Sequence, residues 1–281
     1  MQLLNIGCGK RTHQDWVNID KIPGHSSVTQ CDVEQGLPFL DCHFDVVYHS
    51  HVLEHLEMRN ANQLVKECYR VLKPGGVIRV AVPDLEQIVL FYLQSLQKMS
   101  DGSDYTRDDY DWIMLELYDQ VVRNSSGGRM ADFLNRECIS NRNFIVERCG
   151  VEVEHLMERF KKQRSCQSAV TPKKKLLKKP VFVFQPKKFF SILREQVIKI
   201  LLGGEYKSLK VGRFRCSGEN HQWMFDRISL RLILEECGFS EIIQRDAWTS
   251  YVQDWTKFNL DTEADGTVYK PDSLFMEALK P

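Results

Sequence analysis

Between Leu3 and Pro83 the chain repeats one local pattern, a short apolar run closed by a glycine or an acid. Leu4-Asn5-Ile6 runs into Gly7-Cys8-Gly9, and Trp16-Val17-Asn18-Ile19 ends on Asp20. A weaker run, Ser27 to Asp32, follows, and Phe44 to His49 is rich in β-branched and aromatic residues, as a buried parallel strand requires. From Ala61 to Leu72 the period changes: Leu64, Val65, Cys68, Val71 and Leu72 fall on one helical face. Pro74-Gly75-Gly76 stops that helix, and Val77 to Val82 is the next buried strand. Strands alternating with helices predict a parallel sheet covered on both faces.

The first glycine turn follows a strand, where the missing Cβ lets backbone approach a ligand closely. It departs from a dinucleotide fingerprint. No third glycine follows in Lys10-Arg11-Thr12, and Asp20 lies 13 residues after Gly7, against about 20 for a nicotinamide site. Six residues separate Gly9 from Trp16, so the usual first helix must be truncated. Without a long helix N-terminus to hold a pyrophosphate, a dinucleotide is disfavoured. A single nucleoside with an amino-acid tail fits.

Residues 85–215 break the rhythm. Leu85–Lys98, Tyr110–Arg123, Met130–Cys138 and Phe144–Lys162 read as helices, as does Phe189–Leu202, which Gly203-Gly204 stops. The sheet pattern then resumes with a helix over Asp226–Cys237, a strand over Ser240–Arg245 and a final strand over Ser273–Leu279. The net charge is zero but unevenly spread: 13 basic and 2 acidic residues lie in 172–215, whereas both flanks are acidic. Such asymmetry speaks of partners rather than fold. Nine cysteines form no Cys-x-x-Cys pair, which suits free thiols in a reducing compartment. No secretory signal pattern and no apolar run long enough to span a bilayer is read, so a cytoplasmic location is expected.

Five elements stand in order: the glycine turn, Asp20, Cys31-Asp32, Phe44–Tyr48 leading into His51-Val52-Leu53-Glu54-His55, and Arg70–Gly76 leading into Val77–Val80. Together they resemble a class I S-adenosylmethionine-dependent methyltransferase. The resemblance implies an α/β, Rossmann-like sheet of seven strands, the last antiparallel, with a large, mostly helical insertion after the fifth strand. It implies three parts: 1–84, the cofactor-binding half; 85–215, a helical cap expected to hold the acceptor; and 216–281, the C-terminal part of the sheet. It implies S-adenosylmethionine as cofactor, with the methionine moiety lined by Gly7, Cys8 and Gly9. Asp20 would bind the ribose hydroxyls, Asp32 the adenine amino group with Val33 beside the ring, and His49 and Ser50 would lie beneath the sulfonium. Leu53-Glu54-His55, Leu72–Gly76 and Pro83-Asp84 look like a type-11-like bacterial group. Gly212–Arg215, Ser217–Arg227 and the Lys270–Ser273 ending resemble a subgroup associated with surface-polysaccharide biosynthesis. O-methylation of a sugar or glycolipid intermediate is therefore expected. A small-molecule or quinone-like O-methyltransferase is the alternative, and a binding or scaffold protein with a vestigial pocket is the alternative of another class.

His51–His55 also matches a His-x-x-Glu-His metalloprotease pattern. That reading needs a further acid ligand and an open zinc position, and the surrounding frame disfavours it. Some quinone methyltransferases carry a metal-binding Glu-x-x-Glu-His segment; His51 replaces its first Glu, and no metal is expected. A hydroxyl acceptor gains from a base near neutrality, which nominates His51, His55 or His221, with Glu54, Asp84 or Asp226 to orient it. The basic stretch Lys173–Lys179 followed by apolar Phe189–Leu202 suits a small-molecule or lipid-linked sugar acceptor or peripheral contact with an anionic membrane through 173–202. No RNA-binding module or aromatic-basic repeat is present, so nucleic acid is not expected as a partner.

Overall fold

Leu3, Leu4, Asn5 and Ile6 are all buried, as a strand covered on both faces must be. In the computed structural model, which describes residues 1–102, 106–168 and 186–281, they form β1 (Leu3–Ile6) near the middle of one sheet. The other strands are β2 (Val17–Asp20), β3 (Val28–Gln30), β4 (Phe44–Ser50), β5 (Leu72–Pro83), β6 (Ser240–Arg245) and β7 (Ser273–Leu279). Their order is β3-β2-β1-β4-β5-β7-β6. The first five are mutually parallel, and β7 runs antiparallel to both β5 and β6. This is the expected seven-stranded sheet with its last strand antiparallel. Strand order reverses between β1 and β4, and ligands of open α/β sheets bind in the crevice beyond the carboxyl ends at such a point.

One sheet face is covered by helices. Helix α1 (Met58–Val71) buries Ala61, Leu64, Val65, Cys68 and Val71, the predicted stripe. Further on, α8 (Arg227–Glu236) buries Leu230, Ile233 and Leu234 and starts in a capping box between Asp226 and Ser229. The opposite face differs. Residues 7–16 form turns and no helix, so Trp16, Trp255 and Phe258 cover β1 and β4 edge to face, packed on Tyr48. Beneath them Arg79 is fully buried, paired with Asp261 at 2.8 Å and Glu277 at 3.0 Å. Its guanidinium also donates to the carbonyls of Asp246 and Thr249 and stacks on Trp255.

Among the described residues six helices lie between β5 and α8: α2 (Leu85–Ser100), α3 (Arg107–Val122), α4 (Gly128–Leu134), α5 (Arg142–Ser168), α6 (Pro186–Leu202) and α7 (Tyr206–Arg215). Trp112, Phe133, Leu134, Ile145, Cys149, Val153 and Met157 give them a small core of their own. Several boundaries correct the sequence reading. The helix predicted over Met130–Cys138 ends at Leu134, and α7 was not foreseen. Pro74-Gly75-Gly76 lies inside β5, where the Gly75 N–H donates to the Lys280 carbonyl and the Lys280 N–H to that of Gly76. The long α5 breaks at Gly150 (φ 70°), where a Cβ would sit 2.4 Å from Pro271 Cδ and 2.5 Å from the Tyr269 carbonyl. Only glycine allows that approach, which sets Glu152 2.8 Å from Lys270. The basic stretch Lys173–Lys179 lies outside the described residues.

Candidate functional site

The glycine turn after β1 is shaped by two demands. Gly7 has φ 64°, and a Cβ there would fall 2.4 Å from Val52 Cγ2. Gly9 has φ 51°, and a Cβ there would project into open space. One glycine is thus fixed by packing, while the other leaves a cradle free. Between them the Cys8 thiol is pushed up to about 11 by burial and by the Asp20 charge. It stays protonated at neutral pH, so it is a small wall residue and no nucleophile.

Asp20 closes β2 beside this turn. Its Oδ2 accepts from the Gly9 N–H and its Oδ1 from the Ile22 N–H, both at 2.8 Å. Each oxygen keeps capacity for a further donor, as two ribose hydroxyls would require. Asp32 caps the 3-10 turn Val33–Gln35 through the Glu34 N–H and meets Lys21 Nζ at 3.1 Å. These acids, with Gly7, Val33, Val52 and Leu56, border a cavity of about 640 Å³. Volume, carboxylates and cradle fit a nucleoside with an amino-acid tail.

Beyond β4 the chain turns sharply. His51 adopts φ 54°, an uncommon conformation for a residue with a Cβ, and its N–H donates to the Ala81 carbonyl. The strained turn sends the ring toward two partners. Nε2 lies 2.9 Å from Ser273 Oγ, and Nδ1 lies 3.1 Å from Glu54 Oε1. Apart from this His51 contact, neither of the buried Glu54 oxygens has a donor among the described residues. Burial alone would raise this carboxyl, but the His51 contact and the neighbouring imidazoles His55 and His221 hold it at about 2. Burial pushes His221 down to about 3, and it lowers His55 despite the Glu54 charge. Those two rings meet edge to face with centroids 4.8 Å apart.

All three nominated histidines therefore converge. Two backbone segments are zipped together to bring them there: the Gln222 N–H donates to the Glu54 carbonyl at 2.6 Å and the His221 N–H to that of Gln120 at 3.0 Å. His49 is placed differently from expectation. It is fully buried, pushed down to about 4 by desolvation, and is not among the residues bordering the cavities. Alternation along β4 explains this, since Tyr48 and Ser50 face the glycine turn and His49 must face the other way.

Two further cavities meet the first. One, of about 540 Å³, is bordered by Gly7, Cys8, Gly9, Lys10, Ser50 and Lys270, among others. The other, of about 420 Å³, lies under α3, α4 and α5 and is lined by Glu54, His55, His221, Trp112, Arg159 and Lys270, among others. His51 borders all three. Lys270, Glu152 and Arg159 were not foreseen as wall residues. Lys270 stood in the Lys270–Ser273 motif, but nothing local marks the other two.

Residues 10–80 match the model of a methyltransferase domain. Over 57 residues the chain is 48% identical to a protein of Mycolicibacterium smegmatis described as a probable S-adenosylmethionine-dependent methyltransferase. That stretch covers 19% of this chain and 21% of the relative, so the chain spans about a fifth of the relative's length. Among solved structures, a SAM-dependent methyltransferase from Archaeoglobus fulgidus aligns over 100% of this chain and 86% of its own, at 13% identity and a TM-score of 0.39. An S-adenosylmethionine-dependent methyltransferase from Mesorhizobium loti aligns over 30% and 47%, at 18% identity and a TM-score of 0.24. The stretch so matched is similar to a methyltransferase domain. It contains Asp20, Asp32, His51 and Glu54.

Proposed function

We propose that this chain, built on a methyltransferase domain of the S-adenosylmethionine-dependent class, methylates an oxygen of a sugar, most naturally one carried on a lipid. The observation that carries the proposal is the shared wall at His51 and His55, which border both the cavity beside Asp20 and Asp32 and the one beneath the helices. S-adenosylmethionine, when bound, supplies a methyl group already activated on a sulfonium. Asp20 accepts from the ribose hydroxyls and Asp32 from the adenine amino group, while Gly7 to Gly9 let the backbone close on the methionine moiety. His51 receives the proton of the acceptor hydroxyl. Glu54 favours the proton on Nδ1, leaving the Nε2 lone pair for the acceptor once Ser273 Oγ gives way. The imidazolium that forms is stabilised by the same carboxylate.

The acceptor cavity pairs charged groups, Lys270, Glu152, Arg159 and Asp272, with an apolar wall of Trp112, Leu156 and Phe160. Polar walls facing an aromatic one suit a ring with hydroxyls and an apolar face better than a flat quinone. For the lipid carrier, α6 exposes Phe190, Leu193, Val197, Ile200 and Leu201 next in sequence to the basic stretch.

The test joins binding to turnover. Calorimetric titration with S-adenosylhomocysteine should give micromolar affinity, weakened at least about tenfold in Asp20→Ala by loss of charge-assisted hydrogen bonds. Transfer of labelled methyl to sugars and lipid-linked glycans should follow, with kcat lower by about 10²–10⁴ in His51→Gln. Folded wild-type protein that binds neither cofactor form would overturn the proposal.

A further inference from the structure

Glu54 is fully buried, and apart from the His51 ring 3.1 Å away neither carboxylate oxygen has a partner among the described residues. Such a group is strongly unfavourable unless a cation stands beside it. Protonated His51 could serve, but it would leave two more groups unexplained. Nδ1 of His55 and Nδ1 of His221 are also buried without a partner. Buried polar atoms of folded proteins are rarely left so, and three in one place call for a common partner. One ligand atom each from Glu54, His55 and His221 lies within 4.8 Å of the other two. Metal–ligand lengths near 2.1 Å in a tetrahedron bring donors to about 3.4 Å of one another, which small side-chain rotations would reach here.

We propose that Glu54, His55 and His221 hold a divalent transition-metal ion in the wall of the acceptor cavity. Two imidazoles and one carboxylate suit zinc or another first-row ion, whereas magnesium and calcium prefer oxygen ligands alone. The site is pre-formed by the backbone bonds that join Glu54 to Gln222 and His221 to Gln120. The Asn220 backbone stands against the His55 ring, an outer contact of the kind that orients a ligating histidine. Three protein ligands leave a position open toward the cavity that all three border, beside His51.

A role for the ion rests on the methyl-transfer reading above; the site does not. An acceptor hydroxyl at the open position would be acidified, its proton passing to His51 Nε2. The oxygen then forms its bond to the methyl carbon as the carbon–sulfur bond breaks, and S-adenosylhomocysteine leaves.

The full chain, stripped with chelator, is titrated with Co²⁺ and then Zn²⁺. One equivalent of Co²⁺ should bind with visible d–d absorption, and one equivalent of Zn²⁺ should displace it. Glu54→Gln and His221→Gln should weaken binding by more than the ~100-fold that an outer-shell partner can be worth. Cys138→Ser removes an exposed thiol that borders none of these three cavities and should change nothing. Circular dichroism checks each fold. If Glu54→Gln unfolds, His221→Gln decides, because its backbone bond to Gln120 is kept. Folded wild-type protein that takes up neither ion, or uptake unaltered in folded His221→Gln, overturns the site. S-adenosylhomocysteine binding in the same samples separates the two proposals: cofactor without metal refutes only the metal site, and metal without cofactor refutes only methyl transfer.

Discussion

Gly7→Ala should destabilise the protein through two separable effects. At φ 64° an L-residue pays about 1–2 kcal/mol in backbone strain. The new methyl would also sit 2.4 Å from Val52 Cγ2, inside any permitted carbon contact, and overpacking of that kind costs about 1–3 kcal/mol. The sum, about 2–5 kcal/mol, is a large part of a typical domain's 5–15 kcal/mol but leaves the chain folded in the cold. Urea unfolding followed by tryptophan fluorescence reads it. Val52→Ala in the Gly7→Ala background removes the offending Cγ2. The double-mutant cycle should therefore return about 1–3 kcal/mol of favourable coupling, with the strain remaining. Gly9→Ala is the internal contrast: nothing lies within 4 Å of its Cβ. It should lose only the ~1–2 kcal/mol of strain while weakening cofactor binding, because the methyl enters the cradle. A cycle additive to within about 0.5 kcal/mol would refute the assignment of Gly7 to the Val52 contact.

Two further outcomes are expected. Arg79→Met leaves Asp261 and Glu277 buried without their shared cation and should cost about 3–5 kcal/mol in urea unfolding, against little for exposed Arg231→Met, whose partner Glu235 is also exposed. His49, desolvated and without a ring partner, titrates at about 4 when folded and near 6.5 when unfolded. The unfolded chain therefore binds the extra proton, and stability present above about pH 6.5 should fall by about 3 kcal/mol on acidification to pH 4. The difference between wild type and His49→Gln across that range isolates the slope; parallel curves would show that His49 does not titrate as stated.

Local chemistry was legible in the sequence wherever neighbours along the chain decide it. The stripe Leu64, Val65, Cys68 and Val71 can bury only on a helix, and Phe44 to His49 only in a covered strand. The six residues between Gly9 and Trp16 ruled out a full helix there. What the spacing did not show was the replacement, an aromatic cover from Trp255 and Phe258, because that contact spans most of the chain. The break in α5 was missed for the same reason. Gly150 reads as an ordinary helix glycine until the Tyr269 carbonyl and Pro271 are packed against it.

Histidine roles mark the boundary most sharply. His49, His51 and His55 fall within seven residues of one another, yet the fold gives them three different environments. Strand alternation turns His49 into the core. A left-handed residue at the end of β4 swings His51 into the junction of the cavities. The short helical turn Leu53–His55 then carries Glu54 and His55 beneath it. Sequence spacing nominates all of them equally, since none of these differences is a property of the residue type. His221 belongs with them only because the Gln222 and His221 N–H groups dock the returning chain on Glu54 and on Gln120. Two backbone hydrogen bonds, each worth about 1 kcal/mol, thus select which of several reasonable histidines share the Glu54 carboxylate. That selection is where a parallel sheet with an antiparallel last strand acquires a site of its own.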